Sequence, residues 1–194
     1  MGYKMKILAI MGSPNIKGNT DLLLDEILEG LKENSAMGHD FEKISLINYD
    51  IKPCNGCYAC EETEYCPNNP TASEIVEKIL NANLVIIGTP IYFFNMSSLL
   101  KLLWDHFIMF SHPKLSKLVK NKKFALFSVS GSKEESIADS FYNDAKETED
   151  FYKFKIIGTL RITGFEESGI VKDDEKAMKK AHDFGVELCE KLNL

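Results

Sequence analysis

The chain has little arginine, no long apolar run and no excess of positive charge. Arg161 is the single arginine, and 29 acidic residues outnumber 23 lysines and arginines, which gives a net charge of -6. A negative chain disfavours nucleic-acid binding, because contacts to phosphates need a basic patch. No apolar run approaches the roughly 20 residues that a membrane-spanning helix needs. We therefore expect neither a membrane nor a nucleic acid as a partner.

The sequence also has no long linker, no internal repeat and no pattern typical of a secretory leader. The apolar part of "MGYKMKILAIMGSPN" is short for a signal peptide and predicts a first strand instead. A length of 194 residues suits one well-buried domain. We expect a cytoplasmic protein that forms a single domain over residues 1–194, with a cysteine-rich loop inserted at 53–70, after the second strand.

Apolar strand-like runs alternate with helical patterns along the chain. Residues 83–90 ("NLVIIGTP") are apolar on both faces, as in a central parallel strand, and residues 19–34 carry an apolar helical face. Such alternation builds right-handed βαβ units, with helices on both faces of a parallel sheet. We predict an α/β fold, a flavodoxin-like three-layer sandwich with a five-stranded parallel sheet of order 2-1-3-4-5. Ligands of such sheets bind beyond the carboxyl ends of the strands.

The same patterns place the other elements. We predict a strand over 41–49, and helices over 71–82 and 96–110, with Thr71 or Ser73 as the cap of the first of these helices. Further along, a strand over 122–132 precedes a helix near 134–152, a strand near 155–164 and a last helix near 173–192.

The loop after the first strand, residues 12–20 ("GSPNIKGNT"), is typical of an anion cradle. Small residues let backbone N–H groups turn inward, and the start of the next helix adds positive partial charge. Ser13, Asn19 and Thr20 can add side-chain donors. The loop is neither a P-loop nor G-x-G-x-x-G. Its composition alone leaves two interpretations open, a monophosphate site and an ordinary turn capped by Asn19 or Thr20.

The loop after the third strand, within residues 88–98 ("GTPIYFFNMSS"), places Tyr92, Phe93 and Phe94 where an ordinary loop would be polar. Aromatic side chains at the open end of a sheet can flank a flat ring system. The alternative is aromatic packing beneath the loop or at a subunit contact. A phosphate cradle beside an aromatic loop is what an FMN site requires.

These stretches together resemble the NADPH-dependent FMN reductase family, in order over residues 5 to about 131. "GSPNIKGNT" is similar to its phosphate loop, usually G-S-P-R-x-x-G-N-T, and "TPIYFFNMSSLLKLLWD" to its flavin loop and following helix. "IKPCNGCYAC" is similar to the branch that includes the iron–sulfur flavoproteins of anaerobes. Asn15 and His106 stand where the family commonly has arginine, and Lys17 could supply the missing charge near the phosphate. The resemblance implies FMN contacts at Ser13, Asn15, Lys17, Gly18, Asn19, Thr20, Pro90, Ile91, Tyr92, Phe93, Asn95, Ser130, Gly131 and Ser132.

Four of the five cysteines lie in residues 53–67 ("PCNGCYACEETEYCP"), with the spacing C-x2-C-x2-C-x5-C and proline after the last. The run resembles that of bacterial ferredoxins and predicts one [4Fe–4S] cluster. Zinc is less favoured, because its sites usually use two separated pairs. Ordinary packed thiols are the other alternative. The spacer "EETE" argues against a cluster, because carboxylates that faced it would be unfavourable. The predicted ligands are Cys54, Cys57, Cys60 and Cys66, whereas Cys189 is expected in the core.

The resemblance implies an FMN-binding oxidoreductase that takes hydride from NAD(P)H and reduces a small-molecule or protein acceptor. The flavin would perform the chemistry, so no catalytic side chain is predicted. The alternative is an electron carrier that passes electrons from ferredoxin through a [4Fe–4S] cluster and FMN. A third interpretation is a binding module without redox chemistry. Phe93 and Phe94, expected to be exposed, predict a homodimer or homotetramer in which a partner subunit covers the flavin.

Overall fold

The computed structural model describes residues 4–35 and 38–192. Within them the strands are β1 Lys6–Met11, β2 Asp40–Ser45, β3 Leu84–Tyr92, β4 Asn95–Met96, β5 Lys123–Val129 and β6 Lys155–Ile162. The α-helices are α1 Asn19–Asn34, α2 Cys60–Thr63, α3 Pro70–Asn81, α4 Ser98–Asp105, α5 Pro113–Val119, α6 Asp139–Tyr152 and α7 Glu175–Leu192.

The five long strands form a parallel sheet in the order β2-β1-β3-β5-β6. Counted along the chain, this is the predicted order 2-1-3-4-5, so the predicted fold class and topology are confirmed. The two-residue strand β4 is an addition that the sequence did not predict. It turns back on β3 and pairs with it antiparallel, with Ile91 opposite Met96 and Tyr92 opposite Asn95.

Each face of the sheet carries its own hydrophobic core, because successive strand residues point to opposite sides. Ile7 and Ala9 of β1 pack with α1 and α7, whereas Leu8 and Ile10 pack with the layer that contains α3, α4 and α6. Helices α1 and α7 touch at the backbone. A β-carbon on Gly185 would lie 2.1 Å from the carbonyl oxygen of Ile27, so this contact requires glycine.

The predicted long helix over 96–110 is wrong in its second half. The α-helix α4 ends at Asp105, and His106–Ser111 continue as a 3₁₀-helix. The reason is a side chain: Nδ1 of His106 lies 2.8 Å from the carbonyl oxygen of Leu102, which would otherwise accept the backbone N–H of residue 106. The His106 N–H bonds the carbonyl of Leu103 instead, and the turn tightens.

Two other boundaries differ from the prediction. Helix α3 is capped by Asn69, whose Oδ1 accepts from the N–H of Ala72 at 3.1 Å, and not by Thr71 or Ser73. Pro70 occupies the first turn, where its missing N–H costs no bond. The second strand ends at Ser45 and is followed by the 3₁₀ turn Leu46–Asn48.

Candidate functional site

A cavity of about 310 Å³ opens beyond the carboxyl ends of β1, β3 and β5. We call it the edge cavity. Three of its walls are the loops that the sequence singled out, and the fourth is the 163–171 loop after β6. Its lining residues are Ser13, Asn15, Asn19, Thr20, Pro90, Ile91, Tyr92, Val129, Ser130, Gly131, Phe165, Glu166 and Ser168.

The loop before α1 presents hydrogen-bond donors to the edge cavity. It is folded on itself: the N–H of Gly18 donates to the carbonyl of Asn15 at 3.1 Å, and the N–H of Lys17 to Oδ2 of Asp21 at 2.7 Å. Thr20 is 3 % exposed, and its hydroxyl makes no hydrogen bond within residues 4–35 and 38–192. A hydroxyl without a partner among the described residues, at the start of a helix and in a cavity wall, fits a bound anion.

The side chain of Asn19 is bonded to the 163–171 loop. Its Nδ2 donates to the carbonyl of Glu167 at 2.8 Å and to that of Phe165 at 3.4 Å. Its Oδ1 accepts from the N–H of Val171 at 3.1 Å. The predicted side-chain donor is thus occupied in holding the 163–171 loop, which leaves the backbone of Asn19 as its means of contacting a ligand.

The aromatic loop contributes Pro90, Ile91 and Tyr92 to the edge cavity, but not its tip. Phe93 is 98 % exposed and Phe94 61 % exposed. Both lie in the two-residue turn of the β3–β4 hairpin, which carries them past the cavity wall.

Four other predicted contacts, Lys17, Gly18, Asn95 and Ser132, lie outside the lining of the edge cavity. Nδ2 of Asn95 donates to Asp144 of α6 at 2.9 Å, so this side chain is turned from the cavity. Ser132 lines an adjoining cavity of about 710 Å³, which shares Gly131 with the first. Gly18 and Lys17 lie in the folded phosphate loop, and Lys17 is exposed, with no ion pair among the described residues.

Sequence reasoning missed Phe165, Glu166 and Ser168. They follow β6, an edge strand of the sheet, and their composition carries no motif. The topology alone contained a signal: the carboxyl end of every parallel strand lies at the same edge, so the loop after the last strand belongs there too.

The four clustered cysteines line a separate cavity of about 280 Å³, the cysteine cavity. Cys60 and Cys66 are buried, Cys54 is half-buried, Cys57 is exposed, and all four are free thiols. The cavity shares no lining residue with the edge cavity. Its other lining residues are Pro53, Asn55, Gly56, Tyr58, Asn68, Asn69, Asp105, His106, Ile108 and Met109.

The electrostatics of the cysteine cavity indicate that its thiols lie close together. Burial raises the pKa of the Cys60 thiol, and the negative charge of Cys66, Cys54 and Cys57 raises that pKa further. Cys60 would therefore need a compensating cation nearby to be held as a thiolate. Asn68 already supplies one donor, because its Nδ2 lies 3.4 Å from Sγ of Cys57.

The glutamates of the spacer do not line the cysteine cavity. Glu61 and Glu62 are exposed, and Glu64 forms an ion pair with Lys114 at 2.6 Å, which lowers the pKa of the Glu64 carboxyl. The carboxylate that lines the cavity is Asp105, which is paired with Lys101. The carboxylates of "EETE" therefore do not face the cysteine cavity, and the repulsion of a cluster that the sequence suggested is absent there.

The four thiols suit a metal cluster better than a single metal ion. Among the described residues, no three or more His, Cys, Asp or Glu side chains are arranged to hold a metal ion. A [4Fe–4S] cluster makes a different demand, because each of its irons takes one thiolate and the ligands enclose a cube. Four thiols around one cavity fit that demand, and zinc, which draws its ligands to a single point, is fitted less well.

No helix within residues 4–35 and 38–192 is both long and apolar enough to cross a membrane.

Residues 5–140 match the model of the family described as NADPH-dependent FMN reductase. An iron–sulfur flavoprotein of Methanocaldococcus jannaschii is 29 % identical to the chain, over 98 % of each protein. An iron–sulfur flavoprotein of Archaeoglobus fulgidus is 44 % identical over 52 % of this chain and 48 % of its own length, so the match spans about half of that relative.

Solved structures share the fold. The NAD(P)H:quinone oxidoreductase from Methanothermobacter marburgensis superimposes with a TM-score of 0.71 at 18 % identity, over 96 % of each chain. A flavone reductase gives a TM-score of 0.70 at 22 % identity, and the match covers 96 % of this chain and 63 % of the other. At such identities the likeness concerns the architecture of the sheet and its helices.

Proposed function

The chain belongs to the NADPH-dependent FMN reductase family, and from this premise we propose that it is an FMN-binding oxidoreductase. It takes electrons from NAD(P)H and passes them to a small-molecule or protein acceptor. Bound FMN supplies the hydride and electron chemistry, while the protein binds and orients it.

One observation carries this proposal: a single cavity joins a phosphate-type helix start to an aromatic loop. At one end lie Ser13 and Thr20, whose hydroxyl has no partner among the described residues. The exposed Lys17 lies in the same loop and forms no ion pair within that part of the chain. These groups hold the phosphate. At the other end Tyr92 and Gly131 flank the isoalloxazine ring. Pro90, Ile91 and Ser130 complete the ring pocket.

The test is a fluorescence titration of the apoprotein with FMN, followed by anaerobic NADH and NADPH oxidation by the loaded protein. Thr20→Ala removes the free hydroxyl, and we expect FMN affinity to fall about tenfold, as for a lost hydrogen bond to a charged group. Thr159→Ala, at an exposed position of β6, is the matched control. A protein that stays colourless and quenches no FMN fluorescence would overturn the proposal.

A second function, an electron carrier that receives electrons from ferredoxin, is favoured by the cysteine cavity. Four free thiols around one cavity, with Asn68 beside Cys57, suit a [4Fe–4S] cluster held by Cys54, Cys57, Cys60 and Cys66. Both relatives described above, from Methanocaldococcus jannaschii and Archaeoglobus fulgidus, carry the name iron–sulfur flavoprotein. The cluster would supply one-electron transfer beside the flavin.

Anaerobic purification with iron and sulfide analysis separates the two functions. About four irons per chain without NAD(P)H oxidation would support the carrier, as one [4Fe–4S] cluster requires. Cys57→Ser should lower the iron content, whereas Cys189→Ser, in α7 and outside the cysteine cavity, should not. An iron-free protein with full NAD(P)H oxidation would contradict the carrier.

We further propose that the protein is a homodimer or homotetramer in which a second subunit covers the hairpin tip. The near-complete exposure of Phe93 supports this, because a large apolar side chain in water is unfavourable. Analytical ultracentrifugation of the FMN-loaded protein should give a mass of two or four chains. A monomer would contradict the proposal.

A further inference from the structure

The 163–171 loop is an unassigned wall of the edge cavity. It follows β6 and lies outside the residues that match the family model, which ends at 140. Phe165, Glu166 and Ser168 nevertheless line the same cavity as the phosphate loop. Gly164 and Gly169 have positive φ values of 88° and 78°, so the backbone of the loop turns sharply at two points.

Ser168 lies directly against the start of α1. A β-carbon on Gly18 would lie 3.2 Å from Oγ of Ser168, and one on Gly169 would lie 3.2 Å from the carbonyl of Lys17. The Ser168 hydroxyl makes no hydrogen bond to another described residue. An available hydroxyl therefore stands beside the helix start that carries the free hydroxyl of Thr20.

The loop is held in this position by Asn19, the first residue of α1. Its amide accepts from the N–H of Val171 and donates to the carbonyls of Glu167 and Phe165. These three bonds bracket Ser168 on both sides. A side chain fixed to a helix start in this way moves with the helix, so Ser168 keeps its place relative to the phosphate loop.

The acidic residue of the same wall lies at the other end of the cavity. A β-carbon on Gly131 would lie 2.8 Å from Cγ of Glu166, which places this side chain against the loop after β5 and not against Gly18. The loop therefore offers a hydroxyl toward the phosphate loop and a carboxylate toward the proposed ring pocket.

We propose that Ser168 is a further ligand of the FMN phosphate and that Asn19 is the positioning residue that holds it there. The inference rests on the proposed FMN site and extends it to a segment beyond the matched family region. It also changes the role of the Asn19 side chain from a direct phosphate contact to a positioning residue, because this side chain holds the loop that carries Ser168.

The experiment compares FMN with riboflavin, which lacks the phosphate, in fluorescence titrations of the full-length apoprotein. Ser168→Ala should weaken FMN about tenfold and leave riboflavin unchanged, because a hydrogen bond to a charged oxygen is lost. Ser116→Ala, at an exposed position of α5, is the control and should match the wild type for both ligands.

Asn19→Ala tests the positioning role. It should weaken FMN and also accelerate amide hydrogen exchange in the 163–171 loop, which Ser168→Ala should leave protected. The double variant, Asn19→Ala with Ser168→Ala, should bind FMN little more weakly than Asn19→Ala alone. Both changes remove the same interaction, the one between Ser168 and the phosphate.

Two outcomes separate this inference from the proposed function. Wild-type protein that binds neither FMN nor riboflavin would contradict the proposed flavin site itself. Wild-type protein that binds FMN tightly, while Ser168→Ala binds it equally well or loses riboflavin to the same extent, would overturn only the role of Ser168. Unchanged exchange of the loop in Asn19→Ala would overturn the positioning role.

Discussion

At the scale of single residues, Gly18 links the loop motif to its packing. A β-carbon there would lie 2.9 Å from the carbonyl oxygen of Asn15 and 3.0 Å from its β-carbon, so the phosphate loop would have to shift. We expect Gly18→Ala to weaken FMN binding about tenfold or more and to lower the free energy of unfolding by about 1–3 kcal/mol, as overpacking does. FMN titration and urea unfolding measure the two effects.

The matched control for Gly18 is Gly38→Ala, because a β-carbon on Gly38 meets no described atom within 4 Å. This variant should bind FMN like the wild type. Equal FMN affinity in Gly18→Ala and Gly38→Ala would contradict the close packing of the phosphate loop.

The buried hydroxyl of Tyr142 should lower the free energy of unfolding at alkaline pH. Its hydroxyl donates to the carbonyl of Leu160 at 2.7 Å and lies 3.0 Å from Oγ of Ser128. Burial raises its pKa from 10.0 to about 12, although Ser128 and the nearby Arg161 act in the opposite direction. The unfolded chain loses this proton near pH 10 and the folded protein near pH 12, so the free energy of unfolding falls as pH rises between them, by about 2–3 kcal/mol.

Urea unfolding at several pH values from 9 to 12 measures this fall. In Tyr142→Phe no proton is present to be retained, so the decline over this interval should be shallower than in the wild type. Parallel pH profiles of the two proteins would contradict the buried, protonated hydroxyl.

The residue scale also shows where sequence reasoning about the site stops. Ser13 and Thr20 line the edge cavity as the loop motif predicts, because backbone placement suffices to put short side chains there. Asn19 and Asn95 were expected at the ligand, and each is bonded elsewhere. Their partners lie 148 and 49 residues along the chain, and no local pattern encodes such long-range bonds.

At the scale of elements, the β3–β4 hairpin carries an unfavourable turn. Its central residues Phe93 and Phe94 have positive φ values of 47° and 69°, which suit Asn-Gly and are costly for aromatic residues. Replacing both, as Phe93→Asn with Phe94→Gly, should raise the free energy of unfolding by about 1–2 kcal/mol. The same variant should also weaken subunit assembly or FMN binding if the aromatic side chains of the hairpin tip contact a second subunit or FMN. Urea unfolding and ultracentrifugation measure both effects.

Phe93→Leu separates the two effects, since it keeps the strained β-carbon while it removes the ring. It should gain no stability. If the double replacement is no more stable than the wild type, the turn is not strained. If it is more stable and still assembles and binds FMN normally, the aromatic tip serves neither.

The order of elements could be predicted from the sequence, because alternating strand and helix patterns are local and the connection rules leave few topologies. The residues at which individual helices and strands begin and end could not be predicted in this way. Helix α4 stops where the ring of His106 takes the carbonyl of Leu102, and α3 begins at Asn69. Strand β4 has two residues, too few for any periodicity to indicate it.

At the scale of the whole molecule, the edge cavity is lined from the loops after β1, β3, β5 and β6. The lining residues are drawn from Ser13 to Ser168 along the chain. The strands that precede these loops contribute side chains to both hydrophobic cores. A ligand bound there therefore contacts the ends of four of the five long strands, which couples its binding to the folding of the entire sheet.

We accordingly predict one cooperative unfolding transition that FMN shifts as a unit. At a free FMN concentration 100 times its Kd, linkage adds about 2.7 kcal/mol, which for a chain of this size raises Tm by about 5–10 °C. Riboflavin at the same concentration should raise Tm less, because it leaves the phosphate donors unpaired. Differential scanning calorimetry measures the shift. Two transitions, of which FMN moves only one, would contradict the prediction that residues 1–194 form a single domain.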